Sequence, residues 1–130
     1  MKKRWIWKQL NFSKKGKVLF FGNWRFPILK NMKIDLFWNA ASFQEMEPDV
    51  VSNYLSIVNE SAKAVFLQQT MGGKEEATKK GQHGVLKATT LKDYQKNLKH
   101  FKLTNIEASL TPFGTLNGYS DSFWKRKDTI

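Results

Sequence analysis

Four polar side chains crowd the stretch 39–45: Asn39, Ser42, Gln44 and Glu45. They come straight after the apolar run Lys33 to Trp38, KIDLFW. In an open α/β sheet, ligands bind beyond the carboxyl ends of the strands. If the run is a strand, these four side chains sit where chemistry is done. The carboxylate of Glu45 can take a proton from a hydroxyl as a general base. Asn39 can hydrogen-bond a hydroxyl or the polar atoms of a bound cofactor, and Ser42 and Gln44 line the same turn. Ser42 and Glu45 also suit a plainer role, capping the helix that follows.

Other candidates are thinner. Gly22 and Asn23 end an earlier apolar run and read as a turn. His83 lies in a glycine-rich basic loop and His100 beside an apolar run. Two histidines with no cysteine and no carboxylate cluster make a poor metal site, so no metal is expected. Of the five tryptophans, Trp5 and Trp7 stand among lysines and are the best suited to a surface contact; the others are expected in the core or at an interface.

The elements that position these residues follow from periodicity. Lys17 to Phe21 (KVLFF) reads as a first strand, and Lys33 to Trp38, apolar on both faces, as a strand in a helix-covered parallel sheet. Asp35 falls near its entry end. Glu47-Pro48-Asp49 opens a helix: proline suits the first helical position and acids suit the first turn. Val51, Tyr54, Leu55 and Val58 then form one apolar stripe, and the helix runs to about Ser61. Lys63 to Gln68 is the next strand, so a βαβ unit is predicted. A loop spans Gly72 to Gly84. Thr90 with Asp93 resembles a capping box and starts a second helix. Phe101 to Leu110 and Tyr119 to Lys127 are two further strands, joined by a turn over Thr111 to Gly118. With no room for a helix between them, they pair antiparallel if they pair directly.

Composition narrows the function classes. The chain has 130 residues, 41% of them hydrophobic, which suits one globular domain but falls short of the roughly 200 residues of a seven-stranded helix-covered sheet. The absence of cysteine excludes disulfides and thiolate chemistry. No apolar run approaches the ~18 residues of a membrane helix, and the start of the chain is not a convincing signal peptide. A cytoplasmic location is expected. The net charge of +11 invites a nucleic-acid reading. Its distribution argues against one: basic residues crowd the first 17 positions, whereas 34–62 has none. The rival to an enzyme is a non-catalytic basic module that binds nucleic acid or a partner protein.

The segment Ile34-Asp35-Leu36-Phe37-Trp38-Asn39-Ala40-Ala41-Ser42-Phe43-Gln44-Glu45-Met46 resembles the fourth strand and following loop of sugar O-methyltransferases of the class I S-adenosylmethionine-dependent superfamily. The resemblance extends into the Pro48 helix, the Ala64 to Gln68 strand and the Tyr119 to Trp124 strand. It implies an α/β fold: the C-terminal portion of a Rossmann-like methyltransferase, with parallel strands closed by an antiparallel hairpin. Residues 1–16 are then a basic arm and 17–130 a partial domain. The family's strand order is 3-2-1-4-5-7-6. Strands one and two, with the glycine-rich turn and the acid that hold the cofactor, are expected to be missing. The implied cofactor is S-adenosylmethionine, contacted by Gly22, Asn23 and Asn39. The implied acceptor is a sugar or glycan hydroxyl, with Glu45 and Asn39 as catalytic residues and Ser42, Gln44 and His83 on the substrate. The chain alone is expected to be inactive and to need a missing N-terminal half. In its absence the strand Lys33 to Trp38 should become an apolar edge unless Lys17 to Phe21 pairs with it.

Overall fold

A computed structural model describes residues 15, 16 and 18–127. The basic arm, Lys15 and Gly16 apart, and with it Trp5 and Trp7, lies outside the described residues.

The run at 33–38 becomes β1, Ile34–Ala40. The chain then crosses through α1, Pro48–Ser61, and returns as β2, Ala62–Gln69, parallel to β1 with Leu36 opposite Ala64 and Asn39 opposite Leu67. Proline takes the start of α1 and Asp49 its first turn, as predicted. A long loop leads to α2, Leu91–Asn97, whose start carries the predicted capping box: the Thr90 backbone N–H donates to Asp93 Oδ2 at 2.9 Å. Then come β3, Phe101–Thr111, and β4, Gly114–Arg126, paired antiparallel. β4 also pairs antiparallel with β2, so the four-stranded sheet runs β1-β2-β4-β3. The fold is α/β with a mixed sheet.

Both helices lie on one face of this sheet. Val51, Leu55 and Val58 of α1 pack with Tyr94 and Leu98 at α2 onto Val65 and Leu67 of β2, Phe101 of β3 and Trp124 of β4. The period of two sends Ala64, Phe66, Leu36 and Trp38 to the other face, which no described helix covers. Leu36 is 47% and Trp38 65% exposed. Trp38 meets Phe66 edge-on at 5.6 Å.

Two expectations need correction. Val18 to Phe21 form no strand, and Phe20 is 92% exposed. The run is apolar, but strand formation requires a paired edge, and neither it nor any other described strand pairs with the outer edge of β1. Instead the next residues, Asn23–Leu29, form a 3-10 helix whose Phe26 packs edge-on against Phe37 and Tyr54. The second correction is the hairpin turn. It occupies only Pro112 and Phe113, because Thr111 already pairs with Gly114 and the Thr111 hydroxyl donates to the Gly114 carbonyl. The Asn117-Gly118 pair marks a bulge within β4 instead of the turn.

Among the described residues two buried hydroxyls have no hydrogen-bond partner, those of Thr70 and of Tyr94, the latter fully buried on α2. Burial, reinforced by the Asp93 charge, raises its pKa, so the phenol stays neutral. An unpaired buried hydroxyl has lost its hydration without compensation. Tyr94→Phe should therefore leave stability unchanged or raise it by up to about 1 kcal/mol. Urea unfolding checks this, and a clear loss of stability would show that the hydroxyl is satisfied in solution.

Candidate functional site

The site is built at the carboxyl ends of β1 and β2. Ala41 follows β1 with φ 57°, a left-handed conformation that is uncommon for a residue with a side chain. Its N–H donates to the Gln68 carbonyl at 2.8 Å, which pins the turn to β2. The chain is thereby swung into a short 3-10 helix, Phe43–Glu45, lying across the strand ends.

Three amide side chains lock this turn. Backbone N–H groups can only donate, so they fix which amide atom is oxygen. The Phe43 N–H donates to Asn39 Oδ1 at 3.3 Å, leaving Asn39 Nδ2 to donate to Ser42 Oγ at 2.7 Å. The Gln44 N–H donates to Gln69 Oε1 at 3.2 Å, leaving Gln69 Nε2 to donate to Asn39 Oδ1 at 2.6 Å. The Thr70 N–H donates to Gln44 Oε1 at 2.8 Å, leaving Gln44 Nε2 to reach the Tyr119 hydroxyl at 2.7 Å and Glu45 Oε1 at 3.3 Å. Gln44 and Gln69 are fully buried. A buried, mutually satisfied polar network of this kind is rigid.

Glu45 is the exposed member. Its Oε1 forms an ion pair with Lys74 from the loop after β2. That ammonium, assisted by the Gln44 amide and the charge of His83, holds the carboxyl below its ordinary value, against the opposing effect of partial burial. Glu45 is therefore an ionised acceptor at neutral pH. His83 and Lys74 line one side of a cleft of about 590 Å³ together with Thr78 and Gln82.

The loop itself is tied down by the segment that enters α1. The Glu47 carboxylate accepts the N–H groups of Leu86 and Lys87 at 2.7 and 3.1 Å, and the Thr89 hydroxyl donates to the Met46 carbonyl at 2.9 Å.

The sequence-derived candidates thus separate. Asn39, Ser42, Gln44 and Glu45 come together, with His83 alongside. Neither Ser42 nor Glu45 caps a helix with its side chain: Ser42 precedes the 3-10 helix without a capping bond, and Glu47 is the residue before α1. Most of Asn39's bonding capacity is spent inside the turn. Gly22 and Asn23 lie elsewhere, at the 3-10 helix Asn23–Leu29. Asn23 lines a separate apolar cleft of about 250 Å³ with Trp24, Phe26, Val50, Tyr54 and Ile57. A side-chain carbon at Gly22 would meet the Trp24 ring at 2.2–2.5 Å, so the indole covers that backbone.

No family model, curated protein or solved structure matches this chain.

Sequence reasoning missed Gln69, Lys74 and Tyr119. Gln69 carried a signal, a polar residue ending an otherwise apolar strand. Lys74 and Tyr119 are brought in by a loop and a hairpin whose paths no local pattern fixes. Among the described residues, no group of three or more metal-ligating side chains is gathered, and no helix is long and apolar enough to cross a membrane.

Proposed function

We propose that this chain is the acceptor-binding half of an S-adenosylmethionine-dependent sugar O-methyltransferase. The observation that carries the reading is the strand order. The sequence β1-β2-β4-β3, parallel at one end and antiparallel at the other, is the order that strands four, five, seven and six take in the methyltransferase sheet that the segment 34–46 resembles. The outer edge of β1, which pairs with no described strand, is the position that the first strand holds in that sheet.

The described residues do not fit the cofactor by themselves. No short glycine-rich turn among them joins a strand to a helix, and the Gly22 backbone is covered by Trp24. Cofactor binding is the task of a second half-sheet that pairs with β1 and covers its bare face. This chain binds and orients the acceptor hydroxyl, and Glu45 receives its hydrogen bond and then its proton. An oxygen forming a new bond to carbon becomes strongly acidic, so a carboxylate held below its ordinary range still serves.

Retention on immobilised S-adenosylhomocysteine tests the reading. The purified chain should pass through. From a lysate of the native host it should be retained, and the retained fraction should transfer labelled methyl groups to saccharide hydroxyls. Absence of retention from the lysate would remove the methyltransferase reading. In the retained fraction, Glu45→Gln should lower methyl transfer about tenfold without changing retention; a well-matched general base commonly contributes ~10²–10⁴, and a weaker one contributes less. Unchanged transfer would take Glu45 out of the chemistry.

A further inference from the structure

The amide network leaves one reactive proton unassigned, and its position points to a residue that the loop motif does not contain. The orientation of Gln44 is fixed by the Thr70 backbone N–H, which can only donate to Gln44 Oε1. The opposite end of the amide is therefore Nε2, and the Tyr119 hydroxyl must accept from it at 2.7 Å. With its oxygen used as an acceptor, Tyr119 must aim its own proton elsewhere. The same Nε2 donates to Glu45 Oε1 at 3.3 Å. The Tyr119 oxygen and Glu45 Oε1 are thus at most 6.0 Å apart, the sum of 2.7 and 3.3 Å. Lys74 occupies Oε1, and Oε2 of Glu45 accepts from no described side chain in this network.

The backbone of β4 is shaped to bring the tyrosine there. Between the pairs Ala108–Ser120 and Leu110–Thr115, β3 has Ser109 alone, whereas β4 has Leu116, Asn117, Gly118 and Tyr119. Gly118 adopts φ 78°, which only glycine takes without strain. Bulges of this kind re-aim a side chain at a strand end. Here the re-aimed side chain is Tyr119, half-buried and seated on the fully buried Gln44.

We propose that Tyr119 and Glu45 form a clamp for a neutral sugar hydroxyl, with Gln44 as its positioning residue. A hydroxyl bound by both would accept from the Tyr119 O–H and donate its hydrogen to the Glu45 carboxylate. Because Lys74 already neutralises Glu45, the clamp selects an uncharged polyol over a uronate or a sugar phosphate. The choice of a sugar rests on the function proposed above; the donor–acceptor pair does not.

The test is a heteronuclear NMR titration of the full chain with the methyl glycosides of glucose, mannose, galactose, rhamnose and N-acetylglucosamine, and with methyl glucuronide as the anionic control. At least one neutral glycoside should shift the Gln44 side-chain amide and the Tyr119 ring saturably, and more tightly than the glucuronide. Tyr119→Phe keeps the ring and should weaken that affinity between about threefold and tenfold, the worth of one hydrogen bond. Glu45→Gln, which keeps the shape, should weaken it as well. Silence of both reporters with every neutral glycoside would overturn the clamp, as would unaltered affinity in a folded Tyr119→Phe protein. No cofactor enters the titration. Tyrosine-dependent sugar binding without retention on S-adenosylhomocysteine retires methyl transfer and keeps the clamp; the converse result does the opposite.

Discussion

Trp124→Ala should destabilise the protein by about 3–5 kcal/mol, the usual cost of emptying a large aromatic site in a core. Trp124 is 2% exposed on β4, the strand between β2 and β3, with Val65 and Leu103 as its cross-strand neighbours. Its indole N–H donates to Ser122 Oγ at 3.0 Å, and Ser122 donates in turn to the Leu67 carbonyl at 3.2 Å. The substitution removes the largest side chain of the core cluster to which both helices and the neighbouring strands contribute. Small domains hold roughly 5–15 kcal/mol in total, so the variant should be close to unfolding at room temperature. Equilibrium urea unfolding measures it. A midpoint close to that of the parent protein would mean that the core is not organised around β4.

Gln69→Met should cost about 2–4 kcal/mol, although methionine matches glutamine in length and fills the same space. The whole loss is polar. Gln69 accepts the Gln44 N–H and donates to the backbone and side-chain oxygens of Asn39. Methionine leaves the Gln44 N–H buried without an acceptor, and an unsatisfied buried donor costs more than the net worth of the bond it lost. The Asn39 side chain, which orders the Ser42 turn, loses its bond from Gln69 at the same time and keeps those to Phe43 and Ser42. The expected signature is a lower unfolding midpoint together with broadened amide signals at Asn39 and Gln44. A variant as stable as the parent, with those signals intact, would show that the site does not depend on β2 for its shape.

These two residues mark the boundary of what was legible. Helix α1 was readable because its stripe, its proline and its acids are local signals, and the capping box of α2 was readable for the same reason. Strands β1 and β2 were readable as a βαβ pair because a short apolar run flanked by turn residues needs no distant partner to be recognised. The cluster Asn39, Ser42, Gln44 and Glu45 could be found because it is contiguous and follows a strand.

What the sequence did not contain was pairing. Val18 to Phe21 have strand composition, yet they form no strand, since a strand exists only where another edge supplies its ladder hydrogen bonds. Trp38 and Trp124 are the same residue type in similar runs, but one is 65% exposed and the other is buried, because the helices cover only one face of the sheet. The placement of Gly22 and Asn23 away from the site was likewise set by packing, through Phe26 against Phe37 and Tyr54. Glu45 was visible as an acid in the sequence. That it is an ionised acceptor sharing the Gln44 amide with Tyr119 was decided by tertiary structure, because Lys74 and Tyr119 lie 29 and 74 positions further along the chain, and residues so far apart meet only where the sheet, its bulge and the loop after β2 bring them together.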